Sequence, residues 1–273
     1  MTYRELCRRL SSCGIECAEN EAALLLEHFA GLSRAALMAD PTKEVTSDAL
    51  EDAVARRLTR EPLAYILGEW DFFEETYTVS PDCLIPRPDT EILVEQAIAL
   101  LPQGARFADL CTGSGCVAIS TLCHRPDCSA VAVDLFPKTV ALAKKNAERN
   151  GVAHRLSVVR DDVLSPLCLA DETPLDAILS NPPYIRSDVV DTLEPELFCE
   201  PRAALDGGED GMLFYRAILD NFASRLAPNG LILFEIGYDQ EEDITSLAAS
   251  RGFSCEVKRD LAGLPRVALL HHS

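Results

Sequence analysis

The chain has 273 residues, 48% of them hydrophobic, with 25 Lys and Arg against 44 Asp and Glu for a formal charge of −19. That length suits one large domain with a smaller one attached, and that composition supplies a substantial core. So acidic a chain repels polyanions overall, no stretch is apolar enough to span a bilayer, and the start Met1-Thr2-Tyr3-Arg4-Glu5 has no signal-peptide pattern. The expectation is a cytoplasmic protein that binds neither nucleic acid nor membrane directly.

Residues 1 to about 75 predict a small helical bundle. Leu6, Leu10 and Ile15 begin an apolar stripe, Ala22 to Phe29 continues one, and Leu50, Val54 and Leu58 recur at helical spacing between Ser47 and Arg60, with breaks at Gly31 and Asp40-Pro41. His28, on an apolar helix face, reads as a core or boundary residue rather than a catalyst. Eleven scattered cysteines with no C-x-x-C pair predict reduced, mostly buried thiols. Cys13 and Cys17 lie one helical turn apart without a neighbouring His, so no metal site is expected.

Glu69 to Val79 alternates aromatic and β-branched residues as a hairpin does, and residues 76–90 form the linker to the second domain, 91–273. Arg87, between Pro86 and Pro88, either stiffens that linker or closes one wall of a cleft. A helix from Glu91 to Leu101 follows.

Beyond residue 105 strands and helices alternate, the pattern of a parallel sheet covered on both faces. Strands are predicted near 105–111, 129–134, 155–160, 175–180 and 230–236, and helices near 115–124, 137–150, 209–227 and 239–251. Phe253 to Val257 and Arg266 to Leu270 have no helix between them, which predicts an antiparallel edge pair. After the first strand, Thr112-Gly113-Ser114-Gly115 reads as a turn that lets backbone approach a ligand. Asp134 ends the next strand, roughly twenty residues on, where a carboxylate can accept from ribose hydroxyls. Cys111 stands where the dinucleotide fingerprint has its first glycine, and the third glycine is missing, so pyrophosphate is not the obvious ligand. Asp109 adds negative charge beside the loop, which suits a cation such as the sulfonium of S-adenosylmethionine.

Asn181-Pro182-Pro183-Tyr184 follows the apolar run Leu175 to Ser180. The Asn181 carboxamide oxygen and the Pro182 carbonyl are adjacent acceptors, and the prolines hold them with little freedom, so the pair can receive both hydrogens of one NH2 group. A proline-stiffened turn gives the same pattern; the glycine loop and strand-end acid upstream favour a site. Asp134, Asp162, Gly113 and Asn181 all fall at strand ends, where open α/β sheets bind ligands.

The glycine loop together with Asn181-Pro182-Pro183-Tyr184 resembles the class I S-adenosylmethionine-dependent methyltransferases that modify planar NH2 groups. Adding Pro62-Leu63-Ala64-Tyr65-Ile66-Leu67-Gly68, Leu84 to Glu91 and Glu200 to Leu205, the chain is similar along nearly its whole length to the peptide chain release factor glutamine methyltransferases. The resemblance implies an α/β Rossmann-like domain behind a helical substrate-recognition domain. It implies S-adenosylmethionine as cofactor and class 1 release factors as partners, methylated on the glutamine of their Gly-Gly-Gln motif. Carried over by position, Asp109, Cys111, Thr112, Gly113, Ser114, Gly115, Asp134, Asp162, Val163 and Asn181 would hold the cofactor. Asn181, Pro182, Pro183, Tyr184 and Arg87 would hold the substrate, with Asn181, Pro182 and Tyr184 catalytic. Val163 stands where some members have a tryptophan, so aromatic stacking on adenine is not expected there. An adenine-N6 or cytosine-N4 DNA methyltransferase would use the same loop, and a noncatalytic cofactor-binding scaffold is the remaining alternative.

Overall fold

The computed structural model describes residues 1–169 and 174–272. It divides into two compact units, Met1–Glu69 with Glu194–Cys199, and Trp70–Leu193 with Glu200–Ser273.

The first unit is helical: α1 (Tyr3–Ser12), α2 (Ala18–Ala30), α3 (Arg34–Ala39), α4 (Asp48–Leu58) and α5 (Leu63–Leu67). Helix starts are set by side-chain oxygens: Thr2 and Glu5 form a reciprocal capping box on α1, while Ser33 and Ser47 accept from Ala36 and Leu50 N–H. Gly31, at φ 65°, ends α2 in the left-handed conformation that an L side chain resists. The predicted stripe is the core, with Leu6, Leu10, Leu25, Leu26, Leu50 and Val54 buried. His28 is exposed, not in that core; it lies on the far side of α2, its ring edge-on to Phe29. Arg57 is buried on α4, and its guanidinium donates to Glu21 at 2.6 Å and to Glu196 at 3.3 Å; Glu196 also receives Arg60 at 2.8 Å. The segment 194–199 thus gives Arg57 a second carboxylate and pairs Arg60.

The second unit opens with the hairpin β1 (Glu69–Phe72) and β2 (Glu75–Thr78), then α6 (Glu91–Leu100). Its sheet elements follow as β3 (Arg106–Leu110), α7 (Cys116–His124), β4 (Ser129–Asp134), α8 (Pro137–Arg149), β5 (Leu156–Arg160) and β6 (Leu175–Ser180). After these come α9 (Ser187–Val190), α10 (Leu213–Phe222), β7 (Leu226–Glu235), α11 (Glu241–Ser250), β8 (Phe253–Arg259) and β9 (Pro265–His272). The seven strands are ordered β5-β4-β3-β6-β7-β9-β8, parallel up to β7, with β9 antiparallel to both β7 and β8. Side chains alternate between two cores: Phe107, Ala132, Ala177 and Leu179 pack on one face, Ala108, Leu110, Val131 and Ile178 on the other. Both faces are covered, which is why these strands read as largely apolar rather than as alternating apolar and polar residues.

The predicted helix 209–227 is shorter. α10 ends at Phe222 and a 3-10 turn, Ala223–Arg225, leads into β7. β7 pairs with β6 at Leu175↔Leu226 and then only from Ala177↔Leu231, because Pro228 cannot donate and Asn229 at φ 66° turns the chain out in a bulge. None of the eleven cysteines is in a disulfide among the described residues; four are buried, four half-buried and three exposed, so the thiols are less buried than predicted. No helix among the described residues is long and apolar enough to cross a membrane.

Candidate functional site

The sheet order reverses direction at β3, whose neighbours β4 and β6 lie on opposite sides, so the loops after these strands open the crevice where such sheets bind ligands. The glycine loop leaves β3 with Cys111 at φ 60°, Gly113 at 57° and Gly115 at 85°. Cys111 takes up a left-handed conformation that costs an L residue about 1–2 kcal/mol, at the position where a dinucleotide loop carries glycine. At Gly115 a Cβ would lie 2.8 Å from Ile119 Cδ1 and 3.4 Å from Ala143 Cβ, so the bare backbone is what lets α7 start against α8.

Asp109 is buried beneath this loop. Its Oδ2 accepts from Thr112 Oγ1 at 2.5 Å and from Ala118 N–H at 3.1 Å, tying the loop to the first turn of α7. Burial pushes the Asp109 carboxyl up to about 7 against these two hydrogen bonds, so near neutrality it carries only part of the charge expected from the sequence. Its placement is that of a loop brace as much as of a counter-charge. Asp134 accepts from Gly113 N–H at 3.1 Å and Phe136 N–H at 3.0 Å, which fixes the strand-end carboxylate against the loop. Burial raises its pKa as well. Asp162 Oδ1 accepts from Leu164 N–H at 2.9 Å, and Val163 is buried with its carbonyl held by Asn221.

On the opposite wall Ser180 Oγ donates to the Leu110 carbonyl at 2.6 Å, locking the end of β6 to that of β3 just before Asn181. Asn181 Nδ2 donates to Thr90 Oγ1 at 3.0 Å. The backbone beyond is clamped: Ile185 N–H donates to Leu205, Gly207 N–H to Ile185 at 2.7 Å, and Gln240 Nε2 to the Tyr184 carbonyl at 3.1 Å. Gly207 and Gly211 sit so close that a Cβ would meet Tyr184 Cα at 2.7 Å and Tyr184 O at 2.5 Å respectively. Tyr184 Oη donates to Glu235 Oε1 at 3.4 Å, and burial raises the phenol's pKa. Arg87 is ion-paired with the buried Glu200, whose Oε2 also accepts from Ile85 N–H at 3.0 Å.

One cleft brings together Arg87, Asp109, Cys111, Thr112, Gly113, Ser114, Asp134, Asp162, Val163, Asn181 and Pro183. Gly115, Pro182 and Tyr184 are not among the residues that line it. The sequence reading missed Leu135, Phe136 and Leu164, half-exposed apolar side chains on the lining. Their signal was adjacency to the acids Asp134 and Asp162. It gave Thr90 no role, although Thr90 lies in the quoted segment Leu84 to Glu91. Carboxylates that can receive a diol, flanked by apolar side chains that can cover a planar base, fit a nucleoside better than a polyphosphate. Ser114 Oγ is buried on the same lining and has no hydrogen-bond partner among the described residues.

Comparison with known proteins agrees with this geometry. Residues 2–68 match the PrmC N-terminal domain and residues 88–218 the Methyltransferase small domain. A methyltransferase from Pyrococcus furiosus shares the fold, with a TM-score of 0.53 at 19% identity over 71% of this chain and 87% of its own. Release factor glutamine methyltransferases of Geobacter sulfurreducens and Nitratidesulfovibrio vulgaris are 38% and 40% identical, over 94% and 95% of this chain and 91% and 90% of theirs. With relatives this similar from end to end, a class I methyltransferase sheet and both domain models in order, the chain belongs to the release factor glutamine methyltransferase family.

Proposed function

We propose that this protein transfers the methyl group of S-adenosylmethionine to the side-chain amide nitrogen of the glutamine in the Gly-Gly-Gln motif of class 1 peptide chain release factors, in the cytoplasm. The observation that carries this reading is the Asn181 carboxamide: its NH2 is engaged by Thr90 at 3.0 Å, so Oδ1 is the atom left to accept from a substrate. The names of relatives similar over nearly the whole chain support the substrate, and a charge of −19 suits a protein partner better than a polyanion.

An amide nitrogen is a poor nucleophile because its lone pair is delocalised into the carbonyl. Asn181 Oδ1 and the Pro182 carbonyl, accepting both hydrogens of the substrate NH2, favour a geometry with the lone pair out of the amide plane. They also stabilise the positive charge that develops on nitrogen. The clamp on Tyr184 and Ile185 keeps the two acceptors from relaxing, so their alignment is prepaid. The cofactor, when bound, supplies an electrophilic methyl group. Asp134 and Asp162 offer carboxylates to its ribose, and Leu135, Val163 and Leu164 offer apolar walls to its base. Methylation makes the substrate nitrogen strongly acidic, so its proton leaves afterwards to water and no strong base is required.

Mass spectrometry of a class 1 release factor incubated with this protein and S-adenosylmethionine, beside duplex DNA, tests the reading. One added methyl on the Gly-Gly-Gln glutamine, lost in Asn181→Ala, is the expected result. An unmodified release factor with methylated adenine or cytosine would transfer the protein to the DNA-modifying class.

A further inference from the structure

Asn146 lies on α8 with 0% exposure, and both polar atoms of its side chain have backbone partners. Its Oδ1 accepts from Thr78 N–H at 2.8 Å, and its Nδ2 donates to the Thr78 carbonyl at 3.0 Å and to the Ser114 carbonyl at 2.9 Å. The orientation is forced: with the ends of the amide exchanged, the oxygen would face two carbonyls and the NH2 would face an N–H. Toward β2 the amide behaves as a neighbouring strand would, giving one hydrogen bond and taking one. Its second hydrogen goes to the glycine loop.

Both partners belong to walls of the cleft. Thr78 ends β2 and leads to Asp82, Cys83 and Arg87, which line it, and Ser114 lines it from the loop. The two walls meet there, since a Cβ on Gly113 would lie 3.4 Å from Cys83 Sγ. The peptide between Ser114 and Gly115 is held at both ends, its carbonyl by Asn146 and its N–H by the Thr112 carbonyl at 2.9 Å. Glycine's own backbone freedom does not select that orientation, so these partners must. Other α8 side chains reach the first wall and the hairpin: Thr139 Oγ1 donates to the Asp82 carbonyl at 3.0 Å and Asn150 Nδ2 to the Thr76 carbonyl at 3.3 Å.

From these three hydrogen bonds we infer that Asn146 is a positioning residue of the cofactor site: it fixes the spacing between the glycine loop and the wall formed by residues 78–87, and with it the affinity for S-adenosylmethionine. The inference rests on the cofactor named in the function proposed above. The acceptors offered to the substrate are held separately, by Ser180, Thr90 and Gln240, so the spacing acts on cofactor binding rather than on the rate of transfer.

Calorimetry on the full chain gives the Kd for S-adenosylmethionine in the wild type, Asn146→Asp, Asn146→Ala and Asn150→Ala, beside kcat and KM for release-factor methylation. An ionised Asp keeps an acceptor for Thr78 N–H and loses both donors, and Ala loses all three hydrogen bonds. Both raise Kd and the cofactor KM about tenfold or more and keep kcat at saturating cofactor within about threefold of the wild type. Asn150→Ala breaks a tie to the hairpin without touching the loop, and keeps the wild-type Kd. Asn146 variants that fold, by circular dichroism, and bind with the wild-type Kd overturn the inference however much stability they lose, and so does an Asn150→Ala that weakens binding as much. A readout without substitution decides if neither Asn146 variant folds: bound S-adenosylmethionine slows exchange of the Thr78 amide proton in the wild type, and an unchanged rate overturns the inference. A wild type that binds no S-adenosylmethionine overturns the proposed function instead.

Discussion

Gly211→Ala tests the clamp that holds the Asn-Pro-Pro-Tyr backbone. Gly211 has φ 74°, and a Cβ there would lie 2.5 Å from the Tyr184 carbonyl oxygen and 2.8 Å from Gln240 Nε2. The left-handed conformation costs an alanine about 1–2 kcal/mol. Crowding against backbone adds about 1–3 kcal/mol. Losing the Gln240 hydrogen bond to Tyr184 removes about 1 kcal/mol more. Stiffening the unfolded chain returns about 0.4–1 kcal/mol, leaving a net loss of about 2–5 kcal/mol. Gly252 is the control: its φ is 80° with nothing within 4 Å of the added Cβ, so Gly252→Ala costs about 1 kcal/mol or less. Urea unfolding of both variants isolates the crowding, because they share the strain and differ in the collision. A displaced Tyr184 carbonyl moves the acceptors Asn181 and Pro182, three and two residues upstream, so kcat falls about 100-fold while cofactor affinity holds. If Gly211→Ala unfolds with Gly252→Ala and methylates at the wild-type rate, the clamp has no part in positioning.

Asp134→Ala weakens S-adenosylmethionine binding about tenfold or more with the fold intact, since the carboxylate accepts from the glycine loop as well as facing the cleft; unchanged affinity by calorimetry removes it from the cofactor site. Arg57→Ala destabilises the helical unit by about 3 kcal/mol, because Glu21 and Glu196 lose the buried guanidinium they share, and hydrogen exchange over α2 and α4 reads that loss; protection unchanged in both helices refutes it. Asp109→Asn alters how stability depends on pH. The folded carboxyl keeps its proton up to about 7 while an unfolded aspartate releases it near 3.8, so the folded state binds more protons in between, and this group's contribution declines as pH rises across that window. The stability of the wild type relative to Asp109→Asn therefore declines as pH rises through 4, 5.5 and 7 in unfolding curves, and a difference that does not change with pH contradicts the assignment.

Much of the architecture was legible because its signals are local. The glycine turn follows its strand directly, Asp134 closes the next, and two-faced burial makes β3, β4 and β6 largely apolar, interrupted by Asp109 and Asp176. The shortened α10 and the early start of β7 were hidden because Pro228 and Asn229 mark a bulge within a strand as readily as a loop before one. What escaped entirely is held by distant residues. Thr90 meets Asn181 across 91 positions, Glu235 meets Tyr184 across 51, and Gln240 reaches the Tyr184 carbonyl across 56. No periodicity or motif encodes such pairs, since each exists only once the sheet has aligned its strand ends. Asp109 shows the opposite failure: its position was plain, but its burial and partial neutrality depend on packing around it.

The chain's return to the helical unit at 194–199 has a consequence for synthesis. Arg57 leaves the ribosome with Glu21 already made, whereas Glu196 lies 139 residues behind it. At 5–20 residues per second that is a wait of about 7–28 s, during which Arg57 has only Glu21 of its two carboxylate partners. The helical unit is thus first to emerge yet completed only when residue 199 has been made, and a ribosome stalled before residue 196 would present it with Arg57 paired to Glu21 alone and Arg60 without the carboxylate of Glu196.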